Sequence, residues 1–124
     1  MDLQQLIAKF LDEQGNIALP PHFTLPRLME LLYGAHVEAG GGDMVTLKDW
    51  DFSSDVDGVA RQFTRTQVNT RIKAVAARLA QIGQPGDRVA VMAANSAEYL
   101  FGFIGAMYAG QVPIPLYDPN EPGH

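Results

Sequence analysis

DRVAVMAANSAEYLFGFIGAMYAGQVPIPLY, residues 87–117, is the stretch on which the fold turns. It opens with a short apolar run, DRVAVMA, and closes with another, QVPIPLY. Between them SAEYLFGFIGAMYA has the length and composition of one helix, and Gly110 stands where that helix should stop. Strand, helix and strand in so few residues make a βαβ unit, so the two strands must be parallel and joined by a right-handed crossover. Apolar strands of this kind belong to a sheet covered on both faces. Pro113 and Pro115 take two donors from the second strand, which suits an edge or one end of a sheet. Gly102, Ala106 and Gly110 fall four apart, so one side of the helix is nearly bare and is expected to approach another backbone closely. No charge occurs between Tyr99 and Leu116, but Gly110, Gln111 and the two prolines divide that run, and it reads as helix plus strand rather than a membrane span.

Upstream, Val68, Ile72, Val75, Leu79 and Ile82 step by four, three, four and three, an amphipathic helix that could cover one face of the sheet. Thr64 and Gln67 have capping-box spacing at its start, and Gly83 followed by Pro85-Gly86 ends it. Asn95 and Glu98 offer a similar cap pair for the later helix. Before Thr64 the period changes. Val45, Leu47 and Asp49 alternate with Thr46, Lys48 and Trp50, and Val59, Arg61 and Phe63 alternate again after SSDVDG. That pattern predicts a β-hairpin with Asp57-Gly58 in its tip. Leu3, Leu6, Ile7, Phe10 and Leu11 predict a first helix capped by Asp2 and ended by Gly15. NIALPPHF is an extended connector, and Thr24 caps a second helix with Pro26 in its first turn, ended by AGGGD. The division expected is a helical segment over 1–43 and the beginning of an α/β domain over 44–124.

The 124 residues are 47% hydrophobic and carry 14 acids against 9 bases, a net charge of −5. Such a chain can build a core, but it offers no basic face for nucleic acid and no polybasic attraction to anionic lipid. With no cysteine, thiolate chemistry, disulfides and thiolate metal sites are excluded, as fits a cytoplasmic protein. The N-terminus lacks the basic start and unbroken apolar run of a secretory signal.

No convincing catalytic constellation emerges from these residues. Gly40, Gly41 and Gly42 lack the Lys-Ser/Thr of a phosphate loop and read as a linker. Asp55 to Gly58 lacks the spaced acids of a calcium loop and reads as a hairpin tip. His22, His36 and His124 have no metal-type spacing. Ser53, Ser54 and Ser96 have no nucleophile-elbow context, and Ser96 reads as a helix start. Trp50 and Phe52 read as packing rather than a base-stacking platform. Asp118 and Glu121 follow the end of a strand, where ligands bind in open α/β sheets, but read as a solvated turn.

FTRTQVNTRIKAVAARLAQIGQPGDRVAVMAANSAEYLFGFIGAMYAGQVPIPLYDP resembles the opening βαβ region of the adenylate-forming enzymes, the superfamily of acyl-CoA synthetases, luciferases and peptide-synthetase adenylation domains. A Thr-led helix, a Gly-Asp-Arg-Val strand, an Asn-Ser helix start and an Ala-Gly-x-Val-x-x-Pro-Leu strand carry the likeness. Within that superfamily LKDWDFSSDVDGVARQFT and PLYDPNEPGH are most similar to the fatty acyl-AMP ligases of mycolic-acid-producing actinobacteria. The likeness runs from about Met44 to His124 and more weakly over the N-terminal helices.

The resemblance implies that this chain opens a larger ligase domain and continues past His124. It implies a parent that uses ATP and Mg²⁺ to turn a fatty acid into acyl-AMP and then passes the acyl group to a carrier domain of a polyketide synthase. The family's phosphate loop, adenine and ribose segments and mobile lysine have no counterpart here, and Lys9, Lys48 and Lys73 match no family lysine motif. Hence no catalytic, cofactor-binding or metal-ligating residue is assigned, and the 124 residues are expected to be a scaffold, inactive alone and prone to self-association through exposed apolar surface. Two alternatives stay open: a parent that makes acyl-CoA, and a free-standing interaction domain without catalysis.

Overall fold

Thr64 ends a strand and starts a helix in a single residue. Its hydroxyl accepts the Gln67 N–H at 3.1 Å while the Gln67 side-chain oxygen accepts the Thr64 N–H at 2.8 Å, the reciprocal capping box that the spacing predicts. A computed structural model describes residues 2–120. By its internal contacts the chain divides into two units, residues 1–41 and 42–124.

In the first unit, α1 spans Leu3–Ala8 and α2 spans Leu25–Glu38. Asp2 caps α1, and Gln5 completes a second capping box. The helix does not run on to Gly15. Asp12 accepts the N–H groups of Gln14 and Asn16 at 2.9 and 2.8 Å, which turns the chain so that Leu11 bridges Ile17 antiparallel. An acid that satisfies the backbone two and four residues on competes with helix. Thr24 caps α2 and Pro26 lies in its first turn, as the sequence predicts. Gly40 and Gly41 donate to the Val37 and His36 carbonyls and close it.

In the second unit, β1 (Val45–Asp51) and β2 (Val59–Thr64) form an antiparallel hairpin whose register shifts between Val45 and Leu47. α3 (Arg65–Ile82) follows, then β3 (Arg88–Met92), α4 (Ala97–Tyr108) and β4 (Val112–Leu116). β3 and β4 pair in parallel, with Arg88 opposite Val112 and Met92 opposite Leu116. The βαβ reading of residues 87–117 therefore holds.

The turn into β4 needs a glycine. Gly110 has φ +73°, its N–H donates to the Met107 carbonyl at 3.0 Å, and the next N–H, that of Gln111, donates to the Ala106 carbonyl at 2.9 Å. Those two bonds satisfy carbonyls that the helix end would leave unpaired. By contrast Gly83 ends α3 with an extended backbone, φ −143°, and the left-handed angle follows at Gly86.

Three expectations need correction. α3 does not cover the parallel pair; it packs on α4 and on the two hairpin strands. Its Ile72 is only 1% exposed while Ile82, at the end of the same stripe, is 66% exposed, because α4 is shorter than α3 and reaches only part of it. Second, the close backbone approach of α4 lies one position off the expected stripe. A Cβ on Gly102 would meet only Val91 at an ordinary 3.6 Å, whereas one on Gly105 would fall 2.7 Å from a methyl of Val75 and 3.2 Å from the Ile72 carbonyl oxygen. Third, the cap of α4 is Ser96, not Asn95: the Ser96 hydroxyl accepts the Tyr99 N–H at 3.3 Å.

α4 thus covers one face of the β3–β4 pair through Val91 and Ala106, both buried. The opposite face carries Ala90, Met92, Val112, Ile114 and Leu116, all of them exposed. Gln111, 5% exposed, sits at the junction, and its amide donates to the Leu79 carbonyl at 3.1 Å near the end of α3.

Candidate functional site

Charged chemistry in the second unit gathers where the hairpin meets the start of α4. Arg61 lies between Val59 and Phe63 on β2, so the strand's alternation carries it along the row of Phe63, which packs edge-on against Phe101 with centroids 5.3 Å apart. A cation beside an apolar row wants acids. The two terminal guanidinium nitrogens of Arg61, Nη1 and Nη2, donate to Glu98 at 2.6 and 2.7 Å, and Nη2 also pairs with Asp49 on β1. Asp49 in turn accepts the Ala97 N–H, the first of α4, at 3.2 Å. Two carboxylates at or near a helix N-terminus suit the positive end of its dipole.

The Arg61 guanidinium holds the Glu98 carboxyl down at about 2, against an ordinary 4.5, chiefly by hydrogen bonding. Arg61 itself is raised, first by Glu98 and then by Asp49. Because the folded-state value of Glu98 lies below the unfolded one, its contribution is present above about pH 5 and is lost as the pH falls through 4.5 toward 2. Glu98 and Arg61 remain half exposed, so solvent screens the pair. The melting temperature should fall by roughly 2–5 °C through this group between pH 5 and 2, and Glu98→Gln should remove that part of the acid sensitivity. Thermal melts of the two proteins across that range check it; identical pH profiles count against the pairing.

Beside this cluster lies an open groove of about 380 Å³, lined by Leu47, Lys48, Trp50, Asn95 and Tyr99 among others. Its lining brings together one cation, Lys48, one acid, Asp49, two aromatic rings and the Asn95 amide. Ser96, on its rim, is committed: its hydroxyl donates to the Ala94 carbonyl at 3.0 Å while it caps α4. The first unit has its own apolar hollow of about 270 Å³, lined by side chains such as Leu6, Phe10, Leu28 and Leu32.

The residues weighed from the sequence do not converge. His22 and His36 are exposed in the first unit. Among the described residues no group of three or more His, Asp or Glu side chains comes together to hold a metal ion. Asp55 accepts the Asp57 N–H at 2.9 Å and shapes the hairpin tip, as expected. Asp118 accepts the Asn120 N–H at 2.9 Å in a turn; Glu121 and His124 lie outside the described residues. Trp50 and Phe52 stack on each other at 6.2 Å yet stay 51% and 62% exposed, so the packing expected of them is with each other and, for Phe52, over Gly58. No helix among the described residues is long and apolar enough to cross a membrane. Spacing along the chain does not pair Glu98 with Arg61, although an arginine alternating with Val59 and Phe63 signals the need for an acidic partner.

Comparison with known proteins supplies what the side chains do not. Residues 40–123 match the model of a family described as AMP-binding enzyme. Over 93 residues the chain is 50% identical to the long-chain-fatty-acid–AMP ligase FadD32 of Mycolicibacterium smegmatis, a match covering 73% of this chain and 15% of that protein. It is 40% identical over 113 residues to FadD32 of Mycobacterium marinum, covering 89% of this chain and 17% of that protein. Among solved structures it resembles a fatty acyl-adenylate ligase of Legionella pneumophila, crystallised with acyl adenylate and pyrophosphate, at a TM-score of 0.56 and 26% identity over 74% of this chain and 15% of that one. The α/β arrangement of hairpin and parallel pair corresponds to the N-terminal domain of such ligases. The chain therefore spans less than a fifth of the length of the relatives it matches.

Proposed function

The chain belongs to the AMP-binding enzyme family, and we propose on that premise that its residues form the opening part of a long-chain fatty acyl-AMP ligase. The single observation that carries this reading is the 50% identity to a ligase of which the matched residues make up only 15%. The uncovered face of β3–β4 supports it, because an apolar parallel pair is stable when both faces are sheathed.

In this proposal the whole ligase joins a fatty carboxylate to the α-phosphorus of ATP, releasing pyrophosphate. It then yields the acyl group to the thiol of a carrier domain on a polyketide synthase, releasing AMP, in the cytoplasm and in the service of mycolic-acid-type lipids. Mg²⁺ would neutralise phosphate charge in the first step. In this proposal metal and nucleotide bind in other parts of the ligase, because the family's motifs for them have no counterpart in these 124 residues. The contribution of these residues is architectural: the clasp of Arg61 fixes α4 on the hairpin, and α4 holds one face of the parallel pair.

ATP–pyrophosphate exchange with a long-chain fatty acid tests the reading. The ligase polypeptide carrying this chain should exchange label and lose that activity when Mg²⁺ is chelated, while the 124 residues alone should show none. Exchange by the isolated chain would overturn it.

A further inference from the structure

Two large rings stand in solvent on the hairpin and are held there. Trp50 and Phe52 stack with centroids 6.2 Å apart and planes 20° apart, and both remain more than half exposed. Phe52 lies so close over Gly58 that a Cβ there would fall 2.6 Å from its ring. Rings already fixed in place lose little freedom when another surface covers them, and Trp is prominent among the residues that dominate protein interfaces. Their surroundings are acidic. Residues 50–60 carry Asp51, Asp55 and Asp57, all exposed, and no base.

α3 offers the reverse. Residues 65–86 hold four bases, Arg65, Arg71, Lys73 and Arg78, and no acid. Arg71, Ala74, Ala77 and Arg78 are all exposed and fall at helical spacing on one face, away from the buried Ile72. Arg78 donates to the Gln81 side chain at 3.2 Å, and neither Arg71 nor Arg78 pairs with an acid among the described residues. The dimensions agree as well as the charges. Side chains three apart on a helix face lie about 5–6 Å from each other. The two rings are 6.2 Å apart. Each ring can therefore rest on one alanine, while the arginines beside them reach the carboxylates of the hairpin. A guanidinium next to a ring adds cation–π attraction.

We propose that this chain recognises a second copy of itself, with the Trp50–Phe52 hairpin of one copy seated on the Arg71–Arg78 face of α3 in the other. An acidic aromatic surface and a basic helix face within one sequence supply the charge complementarity that such a contact needs. Each half-exposed ring offers only about 100 Å². The contact thus belongs to the small, weak and reversible class, below about 1,200 Å² in all. This inference goes beyond the ligase reading and does not depend on it.

Sedimentation equilibrium of the ligase polypeptide carrying this chain, up to about 100 µM, tests it. The protein should pass from monomer toward larger species as its concentration rises. Raising the salt from about 0.05 to about 0.5 M should weaken the association at least about tenfold. Trp50→Ala should weaken it by about tenfold or more. Arg71→Glu with Arg78→Glu, and separately Asp51→Lys with Asp55→Lys and Asp57→Lys, should each give a monomer. An equimolar mixture of those two variants should associate again, because each keeps one native surface. A wild type that stays monomeric, an association indifferent to Trp50→Ala, or a mixture that stays monomeric overturns the proposal. Should the reversed variants not fold, hydroxyl-radical footprinting of the unaltered protein decides. Oxidation of Trp50 and Phe52 should slow at least about threefold between dilute and concentrated solution. Rings protected at every dilution mean that another part of the same polypeptide covers the hairpin, and rings equally reactive throughout mean that nothing does; either result overturns it.

Discussion

Ile72→Ala is expected to destabilise the chain by about 2–5 kcal/mol, a large part of the stability of a domain this size. Ile72 is 1% exposed and is the largest side chain of the described residues to be so fully enclosed. It lies on the face of α3 that meets α4, beside the Gly105 contact. Removing three carbons there loses their transfer energy and leaves a hollow that two rigid helices cannot collapse to fill. Urea unfolding followed by circular dichroism reads the change as a lower midpoint. Val56→Ala is the control: Val56 is 90% exposed in the hairpin loop, and its loss should stay within about 0.5 kcal/mol. Equal effects at the two positions would place the core elsewhere.

Gly105→Val should cost about 1–3 kcal/mol or more, although valine forms helix better than glycine does. The two effects oppose each other, and distance decides between them. A Cβ at residue 105 would stand 2.7 and 2.8 Å from the Cγ1 and Cβ atoms of Val75. Val75 is β-branched and on a helix, so it has one favoured rotamer and cannot turn aside. α3 and α4 must then separate along the contact that holds Ile72. Val75→Ala should rescue part of the loss in the double variant, which a mere backbone effect at residue 105 would not allow. Gly34→Ala makes the converse case. It lies inside α2 with nothing within 4 Å of the added carbon, and it should stabilise by up to about 1 kcal/mol. Thermal or urea melts of these variants check the signs.

Periodicity carried most of the architecture. The four-three stepping from Val68, the alternation through Val45 and Val59, and the strand–helix–strand of residues 87–117 all fold as read, because each is a local pattern matched to one element. What was not legible depended on partners distant in the chain. Glu98 has helix-start spacing from Asn95, yet an arginine 37 residues earlier takes it, leaving the cap to Ser96. Gly102 and Gly105 are both glycines of one helix, and only the placement of α3 decides which touches it. Asp12 halted α1 through bonds to its own neighbours, a local signal that the apolar spacing of Phe10 and Leu11 concealed. The candidate site was least readable of all. The groove beside Lys48 and Trp50 joins two elements that lie far apart in sequence, and the family's motifs, rather than any side-chain constellation, pointed to the chemistry.

The clasp at Arg61 closes a loop of 37 residues to Glu98, and Asp49 reaches 48 residues to the Ala97 amide. Loops of that size are slow to shut compared with the hairpin, whose strands meet through neighbouring residues. The ribbon of β1 and β2 can therefore zip early and wander, and it becomes fastened only when the first turn of α4 arrives. A fastening formed after the folding barrier would act on departure rather than arrival, lengthening the lifetime of the finished shape more than it hastens the reaching of it.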